Sequence, residues 1–462
     1  MSVSPISSQF TLGVESIKDL FPILETDEIQ EIWKAVCDNV LQPQVNSQKI
    51  SLLSHLWECK INKALVSEKK YMIRLKLYST VEKINRICGA YKELHYAILL
   101  DQDTNTVSPY ACLVMNEEIA KKEIAVYTLL NSFVDAIQDL TKMPAILFPE
   151  FVEAFVSKKD HVSMTRVFFP FFNRGELDGF KRLHEELFIK AEHVAYFGST
   201  LLQTIAFLHE HHWVHGDLKL NNILVKKTGF ALSLYLIDFG TATPVDPMGR
   251  FESDYIMMTY RLLPPEIFLP AGEMLCLAAE KRCNVEEIIT EKMKLYDMEK
   301  KKNPVDENRI KELESEILQM QTNLQKAIGA QSIQMDHWGL GIIFSAILAP
   351  YFRAHILKKK EDIVFWGDIA GVKGVYYKTR PIRSFLTLFS EPHHFLEPKD
   401  PILHFLWFYF FQKDPKNRPP LTEAVVEEWK QLFLPPAEKK GIIKNPLGSM
   451  HIQPSPRSTC AL

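Results

Sequence analysis

The sequence lacks any long hydrophobic run. Its longest apolar stretches, residues 339–350 and 402–411, are shorter than the roughly 20 residues that a helix needs to cross a bilayer. The first twenty residues also lack a basic segment followed by an apolar core. We therefore expect no transmembrane segment and no secretory signal.

Cysteine is scarce, and neither sign of charge dominates. The seven cysteines are scattered and form no C-x-x-C pair, which argues against a disulfide framework or a zinc site. This usage favours a reducing compartment, so we expect a cytoplasmic protein. The formal net charge is only −3, and it gives no indication of nucleic-acid binding.

Four regions differ in their residue patterns. Residues 1–75 carry apolar residues at helical spacing and predict a helical N-terminal extension. Residues 76–168 contain short β-rich runs around one helical stretch, and residues 173–436 are mainly helical. Residues 437–462 are rich in proline, serine and lysine without periodicity, and they predict a flexible tail.

A pair of charged helical patterns occupies residues 284–328, divided by Pro304. In the second pattern, apolar residues recur at alternating steps of three and four, which is the heptad spacing of helices that pack together. These residues are Ile310, Leu313, Ile317, Met320, Leu324 and Ala327. We interpret the segment as an antiparallel, coiled-coil-like hairpin that buries its own seam. The alternative is an arm that binds a partner or a second copy of the chain.

The residues that carry chemistry lie in two short segments, one reading H-G-D-L-K-L-N-N and the other D-F-G. Asp217 is followed two residues on by Lys219 and five residues on by Asn222, and Asp238 begins the second segment. Phosphoryl transfer needs a carboxylate that orients the attacking hydroxyl and a cation that neutralises the moving group. It also needs carboxylate and amide oxygens that hold magnesium.

These segments resemble the catalytic loop and the magnesium loop of eukaryotic-type protein kinases, H-R-D-L-K-x-x-N and D-F-G. The lysine after the aspartate resembles the serine/threonine branch of that family. Three further motifs match in order: P-P-E ending at Glu266, D-H-W-G-L-G beginning at Asp336, and D-P-K-N-R-P containing Arg418. The resemblance implies that these three residues are structural and that Glu266 and Arg418 form a buried ion pair.

By this resemblance the fold is α+β, a two-lobed protein-kinase-like fold within residues 76–436. The small lobe would span 76–168 and the large lobe 173–436, with a helical-hairpin insertion at 270–330. The implied cofactors are ATP and Mg²⁺, and the implied reaction is transfer of the γ-phosphoryl group to serine or threonine of a protein. Asp217, Lys219 and Asn222 would be catalytic, and Asn222 and Asp238 would bind magnesium.

The small lobe departs from the family pattern. Only Gly89 remains of the glycine-rich loop, and Leu113 stands where the phosphate-binding lysine belongs, although Ala111 fits the alanine that contacts adenine. Lys92 stands at the third glycine position, where the "with-no-lysine" kinases, which this loop resembles, place their phosphate-binding lysine. Glu123 resembles the helical glutamate that orients such a lysine.

The remaining nucleotide contacts are also carried over by resemblance. Leu94, Ala111 and Leu224 would enclose the adenine, and Phe169 would close the back of its pocket. Gly216 replaces an arginine that many kinases pair with a phosphorylated activation loop, so we expect activity without that phosphorylation.

Two other functions stay open at this point. Leu113 favours a pseudokinase, a scaffold that acts by binding other proteins. An enzyme with a non-protein substrate is the other, because a fold does not fix a function. The divergence of the small lobe also leaves open a chain that is delivered into the cytosol of another organism.

Overall fold

The computed structural model divides the chain into two compact units. The first holds the described residues up to Ser132 and also Leu147–Arg174, and the second holds Phe133–Ile146 and the described residues from Gly175 onward. The described residues are 10–41, 47–52, 57–67, 70–79, 92–101, 103–104, 106–157, 161–228, 231–253, 256, 260–281, 283–302, 304, 306–354, 360–376, 379–391 and 393–433.

The first unit is built on an antiparallel sheet that has seven strands within the described residues. Its helices are α1 (Phe10–Leu20), α2 (Thr26–Leu41) and α3 (Glu117–Asp135). Its strands are β1 (Ser47–Ser51), β2 (Trp57–Ser67), β3 (Lys70–Ser79), β4 (Lys92–Asp101), β5 (Thr106–Asn116), β6 (Phe151–Val156) and β7 (Ser163–Pro170). The strand order is β1-β2-β3-β4-β5-β7-β6, and each neighbouring pair is antiparallel.

The prediction of a helical extension over residues 1–75 is wrong in its second half. Helices α1 and α2 are present, but residues from Ser47 onward form β1, β2 and the start of β3. In β2, Cys59 and Ile61 are buried while Lys60 between them is exposed, which is the period of two that a half-buried strand shows. These strands contain many charged residues, so the alternation of buried and exposed positions is difficult to recognise in the sequence. The domain boundaries stay a prediction.

Helices α1 and α2 share one hydrophobic core with the sheet. Ile17, Phe21 and Trp33 pack with Ile61 of β2 and Ile98 of β4. Trp33 and Ile98 are fully buried, and each apolar side chain of this size contributes about 1.5–3 kcal/mol when it leaves water. The two helices are therefore part of the same compact unit as the sheet.

The second unit is mainly helical, so the predicted α+β class is confirmed. Its helices are α4 (Leu177–Leu183), α5 (Ala191–Glu210), α6 (Pro265–Lys281), α7 (Val285–Lys300), α8 (Glu307–Gly329), α9 (Gln334–Ala354), α10 (Lys360–Tyr376), α11 (Ser384–Ser390), α12 (Pro401–Tyr409) and α13 (Glu423–Leu432). Its strands form two antiparallel pairs, β8 (Trp213–Val214) with β11 (Thr243–Pro244), and β9 (Ile223–Thr228) with β10 (Ala231–Leu236). Across the part of the chain that is described, no helix is long and apolar enough to span a membrane.

The predicted helical hairpin is present as α7 and α8. Lys292 pairs with Glu316 at 2.5 Å, and Tyr296 donates to Glu314 at 2.5 Å, so contacts advance along one helix as they retreat along the other. The helices are therefore antiparallel. Asp306 caps α8 by accepting a hydrogen bond from the main-chain N–H of Arg309 at 3.0 Å.

The seam predicted along α8 faces inward. Leu313, Leu324 and Ala327 are buried, and the other three seam residues are half-buried. Helix α8 also contacts α6, which lies just before the hairpin in the chain. The seam is therefore on the side of α8 that is turned away from solvent. Whether the hairpin buries this seam by itself and whether it binds a partner stay predictions.

Candidate catalytic site

The hairpin formed by β9 and β10 places two predicted magnesium ligands at one end. Leu236, the last residue of β10, pairs with Ile223, the first residue of β9. Asn222 directly precedes this pair and Asp238 follows it two residues later. The main-chain N–H of Ile237 donates to the main-chain oxygen of Asn222 at 2.9 Å, which extends the pairing into the loops.

Asp217, Lys219 and Asn222 lie together in the loop that precedes β9. Nζ of Lys219 is 2.5 Å from Oδ2 of Asp217. The side-chain amide of Asn222 donates to the main-chain oxygen of Asp217 at 2.8 Å, and its Nδ2 is 3.4 Å from Oδ2 of the same residue. These contacts fix the loop around a nearly buried carboxylate that has a cation beside it.

Asp336 anchors the start of this loop from α9. Its carboxylate accepts hydrogen bonds from the main-chain N–H groups of His215 at 2.8 Å and Gly216 at 3.0 Å, and it lies 3.2 Å from Nε2 of His209. Burial raises the pKa of Asp336, but the contacts with His209 and His215 outweigh burial and leave that pKa below its usual value. The predicted structural role of Asp336 therefore has a physical basis.

Gly216 occupies a backbone conformation that disfavours other residues. Its φ is +80°, and a Cβ added there would stand 3.2 Å from the main-chain oxygen of Thr241. Asp238 has a φ of +66°, which costs a residue with a side chain about 1–2 kcal/mol. The surrounding contacts must stabilise the Asp238 loop, and such strained positions are frequent at functional sites.

Glu266 and Arg418 form the ion pair that the sequence implied. Nη1 of Arg418 is 2.8 Å from Oε1 of Glu266, and Nη2 is 2.9 Å from Oε2. The Arg418 side chain is fully buried, and its Nε also donates to the main-chain oxygen of Gln412 at 3.0 Å. The two parallel hydrogen bonds to Glu266 and the bond from Nε give the guanidinium group acceptors for three of its N–H groups. They also link α6 to the segment before α13.

In the first unit, Lys92 and Glu123 form an ion pair. Nζ of Lys92, the first residue of β4, is 2.7 Å from Oε2 of Glu123 in α3. Glu123 is buried and Lys92 is half-buried. Strand β4, a turn and β5 lie between these residues in the chain, and the structure brings together the two residues that the resemblance had paired.

The register of β4 and β5 relates Lys92 to the position of the missing lysine. Lys92 stands opposite Met115, Leu94 opposite Leu113, and Tyr96 opposite Ala111. Because side chains two residues apart share one face of a strand, Lys92, Leu94, Leu113 and Ala111 all lie on the same face. Lys92 and Leu113 are diagonal neighbours on adjacent strands. A lysine at either position could therefore place its ammonium group over the same part of this face of the sheet.

The other predicted nucleotide contacts divide between the units. Leu94 and Ala111 are half-buried in the first unit, and Leu224 is half-buried in β9 of the second. Phe169 in β7 packs edge-on against Tyr127 of α3, with ring centroids 5.6 Å apart. Gly89 lies outside the described residues.

Three polar residues next to the predicted catalytic loop, Glu176, Asn221 and Tyr376, were not among the predicted site residues. The side-chain amide of Asn221 donates to Oε2 of Glu176 at 2.5 Å, and the hydroxyl of Tyr376 donates to Oδ1 of Asn221 at 3.3 Å. Burial raises the pKa of Tyr376, and the carboxylates of Asp178, Asp217 and Glu176 raise it further. These residues are far apart in the sequence, so spacing could not reveal them.

The chain belongs to the protein kinase family. The family model described as protein kinase domain matches residues 106–430. This match includes the catalytic loop, the magnesium loop and the Glu266–Arg418 pair described above.

Among curated proteins, the chain is similar to serine/threonine and cyclin-dependent kinases over short segments. It is 39% identical over 72 residues to serine/threonine-protein kinase ppk23 of Schizosaccharomyces pombe, which is 15% of this chain and 17% of that protein. It is 33% identical over 82 residues to cyclin-dependent kinase 14 of Xenopus tropicalis, covering 18% of each chain. It is 33% identical over 97 residues to the probable serine/threonine-protein kinase mkcB of Dictyostelium discoideum, covering 19% of this chain and 13% of that protein. The aligned part is thus less than a fifth of each of these relatives.

Proposed function

We propose that the chain transfers the γ-phosphoryl group of Mg-ATP to serine or threonine hydroxyls of a protein substrate. The observation that carries the proposal is the arrangement of Asp217, Lys219 and Asn222 in one loop, with Asn222 and Asp238 at the same end of the β9–β10 hairpin. Family membership and the names of the similar proteins support it.

The residues present fit a magnesium ion. Asn222 donates to the loop through Nδ2, which turns its carbonyl oxygen the other way, and Asp238 brings a carboxylate to the same end of the hairpin. Oxygen ligands of this kind suit Mg²⁺, which is commonly bound through one or two protein ligands together with phosphates and water. Mg-ATP supplies the phosphoryl group and the divalent charge that screens its oxygens.

Asp217 and Lys219 would act on the groups that react. The carboxylate of Asp217 would accept a hydrogen bond from the substrate hydroxyl, orient it, and take its proton as the bond to phosphorus forms. Lys219, at 2.5 Å from that carboxylate, would balance negative charge that develops on the transferred group. Asn222 would also hold Asp217 in place through its bond to the main chain.

Lys92 would hold the α- and β-phosphates, with Glu123 fixing its position. Glu123 is buried and its Oε2 is 2.7 Å from the ammonium, so the ion pair orients the lysine. Leu94 and Ala111, on the same face of the sheet as Lys92, would contact the adenine ring. The ion pair supports this proposal because it supplies the lysine–glutamate combination that Leu113 removes from the usual position.

The competing function is a pseudokinase. The specific observation in its favour is Leu113, which cannot pair with a phosphate. A protein of this kind would retain the fold and act through binding, and the α7–α8 hairpin would be a candidate surface.

Phosphoryl transfer with matched variants tests the proposal. The full chain is incubated with Mg-ATP and with serine- and threonine-containing proteins, and Asp217→Asn is compared with Asp297→Asn, an exposed carboxylate on the α7–α8 hairpin. We expect transfer by the native chain and by Asp297→Asn, and a loss of about 10²–10⁴-fold in Asp217→Asn.

The same assay separates the alternatives. A native chain that transfers phosphate to no protein or small-molecule acceptor would contradict the proposal and favour the pseudokinase. Transfer to small molecules alone would contradict the protein substrate while retaining the phosphotransferase chemistry.

A further inference from the structure

The sheet of the first unit has a second face, here called the outer face, opposite to the face that α1 and α2 cover. Because side chains alternate along a strand, Glu93, His95 and Ala97 of β4 lie on the outer face, whereas Lys92 and Leu94 lie on the other. The outer face has a small buried core of its own: Met72, Ala97, Tyr110, Cys112, Val114 and Phe168.

Two arginines border this core from different strands. Arg74 of β3 stands opposite Ala97, and Arg166 of β7 stands opposite Val114 on one side and Glu153 on the other. These pairings place both arginines on the outer face. Cys112 lies between them in β5, and the positive charges of Arg74 and Arg166 both act to lower the pKa of its thiol, although burial raises that pKa to about 12.

Arg166 is only partly satisfied. Its Nη1 is 3.0 Å from Oε2 of Glu153, and its guanidinium carbon lies 3.4 Å from the centroid of the Phe155 ring. Its Nε is buried without a hydrogen-bond partner. A buried donor without a partner destabilises the fold, and an additional acceptor would offset that cost.

The guanidinium group of Arg74 has fewer partners than that of Arg166. Its Nε is buried without a hydrogen-bond partner, and its side chain forms no ion pair or hydrogen bond with any described residue. Burial lowers the pKa of Arg74, and the charge of Arg166 lowers it further, while Glu153 acts in the opposite direction. Among the described residues, Glu153 both pairs with Arg166 and is the carboxylate whose charge acts on Arg74.

The other ionisable side chains near Arg74 and Arg166 do not offset the excess positive charge of the two guanidinium groups. Lys76 and Glu93 lie 3.1 Å apart and offset each other. Burial lowers the pKa of His95, so its imidazole is neutral near pH 7 and adds no charge. The thiol of Cys112 is protonated there as well. Among Arg74, Lys76, Glu93, Glu153 and Arg166, positive charges thus outnumber negative charges by one, and the Nε–H groups of both arginines are buried without an acceptor.

We propose that Arg74 and Arg166 form a binding site for a phosphate group on the outer face of the sheet. A phosphate dianion carries several acceptor oxygens and suits guanidinium groups, which present planar sets of N–H donors. It would compensate the excess charge and satisfy the buried donors. The source is either free inorganic phosphate or the phosphorylated side chain of a protein, since both present this chemistry.

The site is separate from the proposed nucleotide site. Lys92 lies on the opposite face of β4 from Glu93 and His95, so the two groups of cations do not share a surface of the sheet. The outer face therefore keeps its phosphate affinity whether or not the chain is an active kinase.

Calorimetric titration of the full chain without nucleotide tests the site. The titrants are inorganic phosphate, a phosphoserine peptide and the same peptide without phosphate. The variants are Arg74→Gln and Arg166→Gln, with Lys121→Gln, an exposed lysine of α3, as matched control. We expect binding with a Kd of about 1 mM or tighter, unchanged in Lys121→Gln, and weakened at least about tenfold in each arginine variant.

The two sources give different results. Binding of both phosphate and the phosphopeptide with similar affinity supports free phosphate, and much tighter binding of the phosphopeptide supports a phosphorylated protein. Failure of phosphate to bind, or equal binding by the arginine variants and the native chain, would overturn the proposal.

Melting temperature provides a second measurement that guards against misfolded variants. An uncompensated buried cation does not stabilise a fold, so Arg74→Gln should melt no lower than the native chain in the absence of phosphate. Phosphate should raise the melting temperature of the native chain but not of Arg74→Gln. A phosphate-induced rise of equal size in both would contradict the proposal.

Discussion

The proposed phosphoryl transfer depends on where a single lysine lies. Lys92 on β4 and Leu113 on β5 are diagonal neighbours on one face of the sheet, and such neighbours are about 7–8 Å apart. The length of a lysine side chain is comparable to that distance. We propose that Lys92 takes the place of the lysine that Leu113 replaces, and its 2.7 Å ion pair with Glu123 supports this.

A single buried residue, His337, makes the free energy of unfolding depend on pH. This residue follows Asp336 in α9, and its Nδ1–H donates to the main-chain oxygen of Tyr409 at 3.1 Å. Burial lowers the pKa of His337 from 6.5 to about 3. Between these values the unfolded chain binds a proton that the folded chain does not, so stability falls as the pH is lowered through this window, by up to about 1.4 kcal/mol per pH unit.

We expect His337→Asn to lose less stability than the native chain on acidification from about pH 7 to about pH 5. Asparagine retains a donor but does not titrate. Urea denaturation at several pH values measures the slope, and His393→Asn, an exposed histidine, serves as control. Equal slopes in His337→Asn and the native chain would contradict the assignment.

Among the structural elements, the α7–α8 hairpin shows how much a pattern of apolar residues can reveal. Heptad spacing in α8 predicts which side faces inward, and Leu313 is indeed fully buried while Leu318 is 65% exposed. The spacing is local and needs no information about distant residues. The contact of α8 with α6 involves residues far apart in the chain, and no periodicity could indicate it.

We predict that two leucines of α8 contribute differently to the free energy of unfolding. Leu313→Ala should lower the free energy of unfolding by about 2–5 kcal/mol because it leaves a cavity in the seam. Leu318→Ala should change it by no more than about 0.5 kcal/mol. Urea denaturation followed by circular dichroism measures both, and equal effects of the two substitutions would show that the seam faces elsewhere.

The ion pair between Glu266 and Arg418 supports a second prediction for the elements. Arg418→Ala should lower the free energy of unfolding by about 3–5 kcal/mol, because it leaves Glu266 without its partner in a buried place. Replacing both residues together, as Glu266→Leu with Arg418→Met, should recover part of that loss. A change below about 1 kcal/mol in Arg418→Ala, the size typical of exposed pairs, would contradict a buried structural role.

For the whole molecule, the sequence predicted the second unit better than the first. The catalytic loop and the magnesium loop lie within 25 residues of each other, and their chemistry is fixed by short spacings. In the first unit, β1 and β2 are charged strands whose alternation is hard to recognise. The resemblance paired Lys92 with Glu123, but the placement of Arg74 and Arg166 on the outer face depends on strand register, which the sequence does not display.

The most direct measurement for the account is phosphoryl transfer by variants that move this lysine. We compare the native chain, Lys92→Met, the double variant Lys92→Met with Leu113→Lys, and the control Lys121→Met. We expect Lys92→Met to lose at least about 100-fold in transfer rate, because a charge that stabilises the phosphates is gone. The double variant should recover part of the activity, and the control should match the native chain. Full activity in Lys92→Met would contradict the central claim that this lysine performs the task of the one that Leu113 replaces.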